Sequence, residues 1–446
     1  MTEVDLVIRA ERAIIDGEER AASVAVADGV IVGIGHVNAP WETATEVTLG
    51  DDEVLIPGIV DTHVHVNEPG RTHWEGFATA TRAAAAGGVT TIIDMPLNSI
   101  PPTTTPAALA VKRAAAAGAA HVNVGFWGGA VPENLGHLSE LQEEGVFGFK
   151  CFLAPSGVDE FPHLNRRQLH AALEEIEEID GLLIVHAEDP WKLDDISNPG
   201  ESYAAFAATR PDAAEVSAIE AVIDAVRETG ARAHILHLSS SAALPAIRAA
   251  KAEYLPITVE TCPHYLSFDA QHIPDGATQY KCCPPIRGGE NREYLWEALT
   301  DGTIDFVASD HSPSTVALKF AGDGDFKQAW GGIAGLELSL AAVWTGAWAR
   351  GMALTDVVRW MSESTAAWAG LESKGGIRLG ADADLVAFAP DEERIIDAHD
   401  LAHRNPVTAF EGHALRGAAH TTWVGGVVAH GAGASPKPVG KLLSRP

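Results

Sequence analysis

The stretch GIVDTHVHVNEPGR, residues 58–71, starts as an apolar β-branched run and stops at a Glu-Pro-Gly turn, with Asp61, His63 and His65 in between. Residues two apart on a strand point to the same face, so His63 and His65 leave its C-terminal end side by side. Outward from this run the pattern repeats. Short β-branched or aromatic runs alternate with Ala-rich amphipathic stretches. Eight such runs are read, VDTHVHV (60–66), VTTIIDM (89–95), HVNVGFW (121–127), VFGFKCF (146–152), LLIVHA (182–187), RAHILHL (232–238), ITVETC (257–262) and IDFVAS (304–309). Helices are expected at 76–88, 165–179, 213–230 and 240–250. Eight strands with helices between them over about 250 residues is the arithmetic of a (β/α)8 barrel.

The flanks differ. Residues 1–55 and 378–446 carry short strand-like runs and Gly or Asp turns without helical patterning. The predicted class is therefore α/β, a (β/α)8 TIM barrel over 56–377 with a small composite β-sandwich domain formed by the two terminal segments. The tail GAGASPKPVGKLLSRP reads as extended or loosely held.

Composition narrows the function. With 446 residues and 46% apolar content the chain can bury a large core. A net charge of −30 disfavours nucleic acid and anionic membranes, whose partners bring Lys and Arg. No apolar run reaches the roughly 18 residues a membrane span needs, and Glu3 and Asp5 stand where a signal peptide would be basic, so a cytoplasmic location is expected. Cys151, Cys262, Cys282 and Cys283 form no CxxC pair, which argues for reduced thiols and against a structural zinc site.

Function in such a barrel collects at the C-terminal strand ends. There the expected strands place His63 and His65, Lys150, His186, His237 and Asp310. A lone histidine at a strand end is usually a hydrogen-bonding rim residue. Four imidazoles and a carboxylate together match the ligand preferences of zinc-like divalent ions. Lys150 is the odd member, because a buried ammonium costs several kcal/mol unless paired or neutralised. One alternative is a rim salt bridge to Asp94 or Asp310. The other is reaction of the neutral amine with carbon dioxide to a carbamate, an anionic group able to bridge two metals.

These motifs, DTHVH, the lysine of GFKCFL, the two later histidines and ASDHSP, resemble the binuclear amidohydrolase superfamily and its cyclic amidohydrolases, the hydantoinases or dihydropyrimidinases, dihydroorotases and allantoinases. The resemblance implies two divalent ions (zinc foremost, with manganese, cobalt or iron as alternatives) held by His63, His65, carboxylated Lys150, His186, His237 and Asp310. It also implies a homotetramer. Dihydroorotases carry arginine where Asn67 stands, and dihydropyrimidinases carry tyrosine where Pro155 stands. The segments KCFLAPSGVDEFPH, VETCPHYL, KCCPPIR and AWGGIAGLE resemble allantoinases. That group hydrolyses the cyclic amide of allantoin to allantoate through a hydroxide bridging the metals, with Asp310 in the general acid/base position.

Allantoin is uncharged, so its pocket should offer neutral side chains and backbone groups. The resemblance suggests Asn98, Ser156, Cys283, Ser312, Trp330 and Gly331 as substrate contacts. Glu260, His264 and His311 are expected to pack or to orient ligands, and Arg71 to anchor the first loop. Segments 153–164 and 321–330 are expected to form a mobile cover. Two rival functions are a hydantoinase or dihydropyrimidinase activity and a non-catalytic scaffold.

Overall fold

The computed structural model describes residues 4–445. Eight parallel strands occur where the eight runs were read: β1 (Ile59–Val64), β2 (Val89–Asp94), β3 (Asn123–Phe126), β4 (Phe149–Phe152), β5 (Leu183–His186), β6 (Ala233–Ile235), β7 (Ile257–Thr261) and β8 (Phe306–Val307). They are shorter than the apolar runs, since residues beyond the last ladder bonds turn away into the rim loops. β1, β2 and β3 form one ladder; Gly128–Gly129 continues β3 and pairs with β4, from which the ladder runs to β8. A bridge between Val64 and His311 brings β8 back against β1, completing the ring at the functional rim.

Helices cover the outside. Arg166–Glu178 shows why they form where they do. The Asn165 side chain accepts from the Gln168 backbone N–H while Gln168 reaches back to the Asn165 N–H, a reciprocal cap. Leu169, Ala172, Leu173 and Ile176 then supply the i, i+3, i+4, i+7 face that is buried against the barrel.

Both chain ends build the second unit. Strands Val4–Ile15, Glu18–Ala27, Val30–Gly35, Thr43–Thr48 and Val54–Pro57 join Leu385–Ile395, Ala414–Val424 and Val427–His430 in one eight-stranded mixed sheet. The seam is antiparallel, with Val54 opposite Phe388 and Pro57 opposite Leu385. Ile8, Val24, Leu55, Leu385 and Trp423 belong to a hydrophobic cluster separate from the barrel's. Gly58 links that sheet to β1, and a Cβ there would meet the Thr90 side chain at 2.1 Å, so the position needs glycine for close approach. The terminal tail is extended but not loosely held. Val124 N–H donates to the Lys441 carbonyl at 2.9 Å, and Leu443 N–H to that of Val124 at 2.8 Å, so the tail adds backbone pairing beside β3.

β2 ends in a buried carboxylate. Asp94 receives Lys112 Nζ at 2.6 Å and the Val66 N–H at 2.9 Å, so one ion pair holds the chain directly after His65. Breaking a buried pair leaves an uncompensated charge at a cost of about 3–5 kcal/mol. Lys112→Met should lower the unfolding free energy by about that amount in urea titrations; a change within error would show that Asp94 is stabilised by its other contacts alone.

Candidate active site

The rim encloses a cavity of about 440 Å³. His63, His65, Lys150, His186, His237 and Asp310 all line it. So do Asn98, Ser156, Cys283, Ser312, Trp330 and Gly331. His63 lies on β1 and His65 just past it, while His186 is the last residue of β5. His237 and Asp310 lie beyond β6 and β8 with left-handed backbones, φ 38° and 46°. That conformation is strained for a residue with a Cβ, and such strain clusters at functional sites.

On one side, His63 Nε2 approaches Asp310 Oδ1 at 3.1 Å and His65 Nε2 approaches the same oxygen at 3.6 Å. His63 Nε2 is buried and has no hydrogen-bond partner among the described residues. The donor atoms of His63, His65 and Asp310 lie within 4.8 Å of one another, a spacing suited to one cation. Opposite them, His186 Nδ1 and His237 Nε2 stand 3.0 Å apart. Imidazole nitrogens converging on one another and on a shared carboxylate oxygen are an arrangement a divalent ion would satisfy.

Lys150 is buried in β4 between Phe149 and Phe152, its ammonium 4.8 Å from the Phe152 ring centre. Neither salt-bridge alternative occurs. Asp94 is taken by Lys112, and Lys150 pairs with no carboxylate among the described residues. Burial lowers its pKa to about 8, against the opposing pull of Asp310 and Glu260. Burial alone would push the Asp310 carboxyl up, but the histidines around it hold it well below the usual carboxylate range.

The imidazoles are aimed from behind. Glu260 on β7 bonds His63 Nδ1 at 2.5 Å and His234 Nε2 at 3.2 Å, so it orients as well as packs. Asp61 accepts the N–H groups of His63 and Ser309, each at 3.1 Å, tying β1 to the Asp310 loop. The His311 carbonyl receives the His65 N–H at 2.8 Å, while its ring nitrogen Nδ1 accepts from Gly335 and Leu336. His264 does not share this role. It makes no hydrogen bond to the four rim histidines, and its Nε2 is buried without a partner among the described residues.

The substrate-contact expectations divide. The Asn98 side chain makes no hydrogen bond to another described residue, and the Asn98 backbone carbonyl takes Arg71 Nη1 at 2.8 Å, so Arg71 anchors the loop. Ser156 Oγ lies 2.6 Å from the Phe161 carbonyl and 3.1 Å from that of Val158, so its one proton is used within its own loop. Trp330 packs edge-on against Trp74 at 4.9 Å. Residues from both expected cover segments line the cavity.

Three further residues went unread in the sequence. Glu188 bonds His186 Nε2 at 2.7 Å, which turns His186 Nδ1 toward His237. Its signal was present, since His186 and Glu188 repeat the i, i+2 spacing of His63 and His65. Arg210 grips Glu188 through Nε at 3.0 Å and through Nη2. Lys319, buried and with no carboxylate partner among the described residues, donates to the carbonyls of Lys281 at 2.9 Å, Trp330 at 3.0 Å and Gly332, joining two cavity-lining loops. No local pattern announces Arg210 or Lys319.

Burial would raise the Glu188 carboxyl, but Arg210 and His186 outweigh it and bring it from the ordinary 4.5 to about 2. A carboxyl depressed on folding stabilises the fold above its unfolded value, and that stability is lost as pH falls from 4.5 toward about 2. Glu188→Gln should therefore flatten the stability profile in this window. Acid unfolding followed by tryptophan fluorescence checks it, and an unchanged slope would assign the acid sensitivity to other carboxylates.

The fold and this cavity define a class: the chain belongs to the amidohydrolase family, whose sequence pattern matches residues 54–429. Within it, the chain is similar along its whole length to allantoinases. It is 54% identical over 446 residues to the allantoinase of Streptomyces avermitilis, covering 100% of both chains. It is 42% identical over 455 residues to that of Saccharomyces cerevisiae, covering 98% of both. Among solved structures it resembles the L-hydantoinase (dihydropyrimidinase) from Arthrobacter aurescens, with TM-score 0.93 and 30% identity over 99% of this chain and 100% of that one. No helix among the described residues is long and apolar enough to cross a membrane.

Proposed function

We propose that this chain is an allantoinase, opening the ring of allantoin by hydrolysing its cyclic amide to allantoate. The substrate assignment rests on full-length similarity to allantoinases. The chemistry rests above all on one observation, a buried Lys150 without a carboxylate partner among the described residues, set amid the converging imidazoles of His63, His65, His186 and His237. His63, His65 and Asp310 would hold one divalent ion, His186 and His237 the other, and a carbamate on Lys150 would bridge them. Nitrogen and oxygen ligands of this kind suit zinc, and manganese, cobalt or iron can also fit. Bound there, the pair would polarise the ring carbonyl and make water nucleophilic at neutral pH.

The chain's own groups supply the rest. Asp310 is ionised at neutral pH and faces His63 and His65 across the cavity floor, placed to accept a proton from the attacking water. As the ring C–N bond breaks, the same carboxyl returns that proton to the leaving nitrogen. Glu260 and Glu188 keep His63 and His186 in fixed orientations throughout. Asn98, the backbone around Cys283, Ser312 and the Trp330–Gly331 loop are the groups we assign to holding the neutral ring. Asn67 supports the choice of a neutral ring. Its amide donates to the Pro313 carbonyl at 3.1 Å, and it brings no charge to the position where dihydroorotases carry arginine.

The likeness to an L-hydantoinase favours a second reading, turnover of hydantoin or dihydropyrimidines. Relative kcat/KM on allantoin, hydantoin, dihydrouracil and dihydroorotate by the metal-loaded protein separates the two. Preference for allantoin supports the proposal; preference for another ring overturns the substrate and keeps the site. A homotetramer belongs to the same reading by resemblance, and light scattering would test it.

A further inference from the structure

We propose that Arg210 is a substrate-binding residue that recognises the ureido arm of allantoin through the guanidinium nitrogen left over from its pairing with Glu188. The inference rests on the allantoin reading and deepens it.

Arg210 is held from two directions. Its backbone carbonyl accepts Arg287 Nη2 at 3.2 Å, and Arg287 is itself paired to buried Glu215 at 2.6 Å. Its side chain lies side-on against Glu188, using Nε and Nη2. Nη1 makes no hydrogen bond among the described residues. The side chain is 16% exposed, and the residue lines the cavity beside His186 and Cys283. The neighbouring cations are turned to backbone carbonyls. Lys281 Nζ bonds the Ala329 carbonyl at 2.5 Å, and Lys327 Nζ is spread over the carbonyls of Asp195, Ile196 and Ser197.

Allantoin and hydantoin share the ring that reacts, so groups that act on the ring cannot tell them apart. Allantoin adds a ureido substituent with a carbonyl acceptor. A guanidinium immobilised by an ion pair offers that carbonyl a hydrogen bond with little ordering cost. Hydantoin cannot use the donor, and a site built around a polar contact discriminates against the analogue that lacks it. Glu188 also cancels the charge of Arg210, so the wall presents a directed donor to a neutral ligand instead of a net cation. Arg210 thus has two duties, holding Glu188 behind His186 and reading the arm.

The test separates them. Metal-loaded wild type, Arg210→Met and Glu188→Gln are compared by kcat/KM on allantoin and by calorimetric Kd for hydantoin. Arg210→Lys serves if Arg210→Met does not fold. Recognition of the arm predicts that the Arg210 variant loses about 10²-fold on allantoin, mostly through KM, while its loss on hydantoin is no larger than that of Glu188→Gln, which reads the positioning duty alone. Glu188→Gln, which disturbs His186, should affect both ligands. Equal losses on both ligands in the Arg210 variant would overturn the proposal and leave only the positioning duty. Wild type that shows no preference for allantoin would instead overturn the substrate reading, whatever the variant does.

Discussion

Lys150→Ala is expected to abolish turnover, by on the order of 10³-fold or more, while the protein folds as before. The residue is 1% exposed on a strand flanked by Phe149, Cys151 and Phe152, and it pairs with no carboxylate among the described residues. As an ordinary lysine it would be a burden that alanine relieves, and unfolding free energy should hold or rise. As a carbamate it is a ligand to both ions, and groups that act as a unit lose nearly the whole of their joint effect when one is removed. Metal content by emission spectroscopy should fall with activity. A short carboxylic acid, which fits the vacated space and restores an anionic bridge, should recover part of both. Full turnover by Lys150→Ala would end the carbamate reading. Loss of activity without rescue, metals retained, would reduce Lys150 to packing.

Asp310→Asn is expected to cost roughly 10²–10⁴-fold in kcat, the usual scale for a positioned acid/base group. Asparagine keeps an oxygen that can face His63 and His65 but cannot carry a proton. Metal content near that of wild type with collapsed turnover would mark proton transfer as the duty of Asp310. Metal and activity falling together in proportion would make it a ligand only, and the proton carrier would be sought at Ser312. Because the histidines hold this carboxyl well below its ordinary value, wild-type activity should not fall through protonation of Asp310 near neutrality.

The gross fold was legible because its signals are local. Alternation with period two and helical faces of period 3.6 sit within windows of about ten residues, and both can be counted along a linear chain. Eight runs, a two-residue histidine spacing and one lysine in an apolar strand were therefore enough to name the rim residues that the structure gathers around one cavity. The extended course of the tail was read but its anchoring was not, because Gly and Pro predict weak packing, whereas its backbone pairs beside β3.

What the sequence by itself determined is the order of strands and helices, the residue types at the strand ends, and kinship with cyclic amidohydrolases. Tertiary structure decided which partner each of those residues meets. Glu260 stands 197 residues from the His63 it orients, and Lys319 ties together carbonyls from two separate loops. His237 and Asp310 also take left-handed backbones just beyond β6 and β8, which no local pattern announces. Such pairings depend on barrel closure and on the geometry of burial, and a charged side chain carries no mark of its distant partner in its neighbours along the chain.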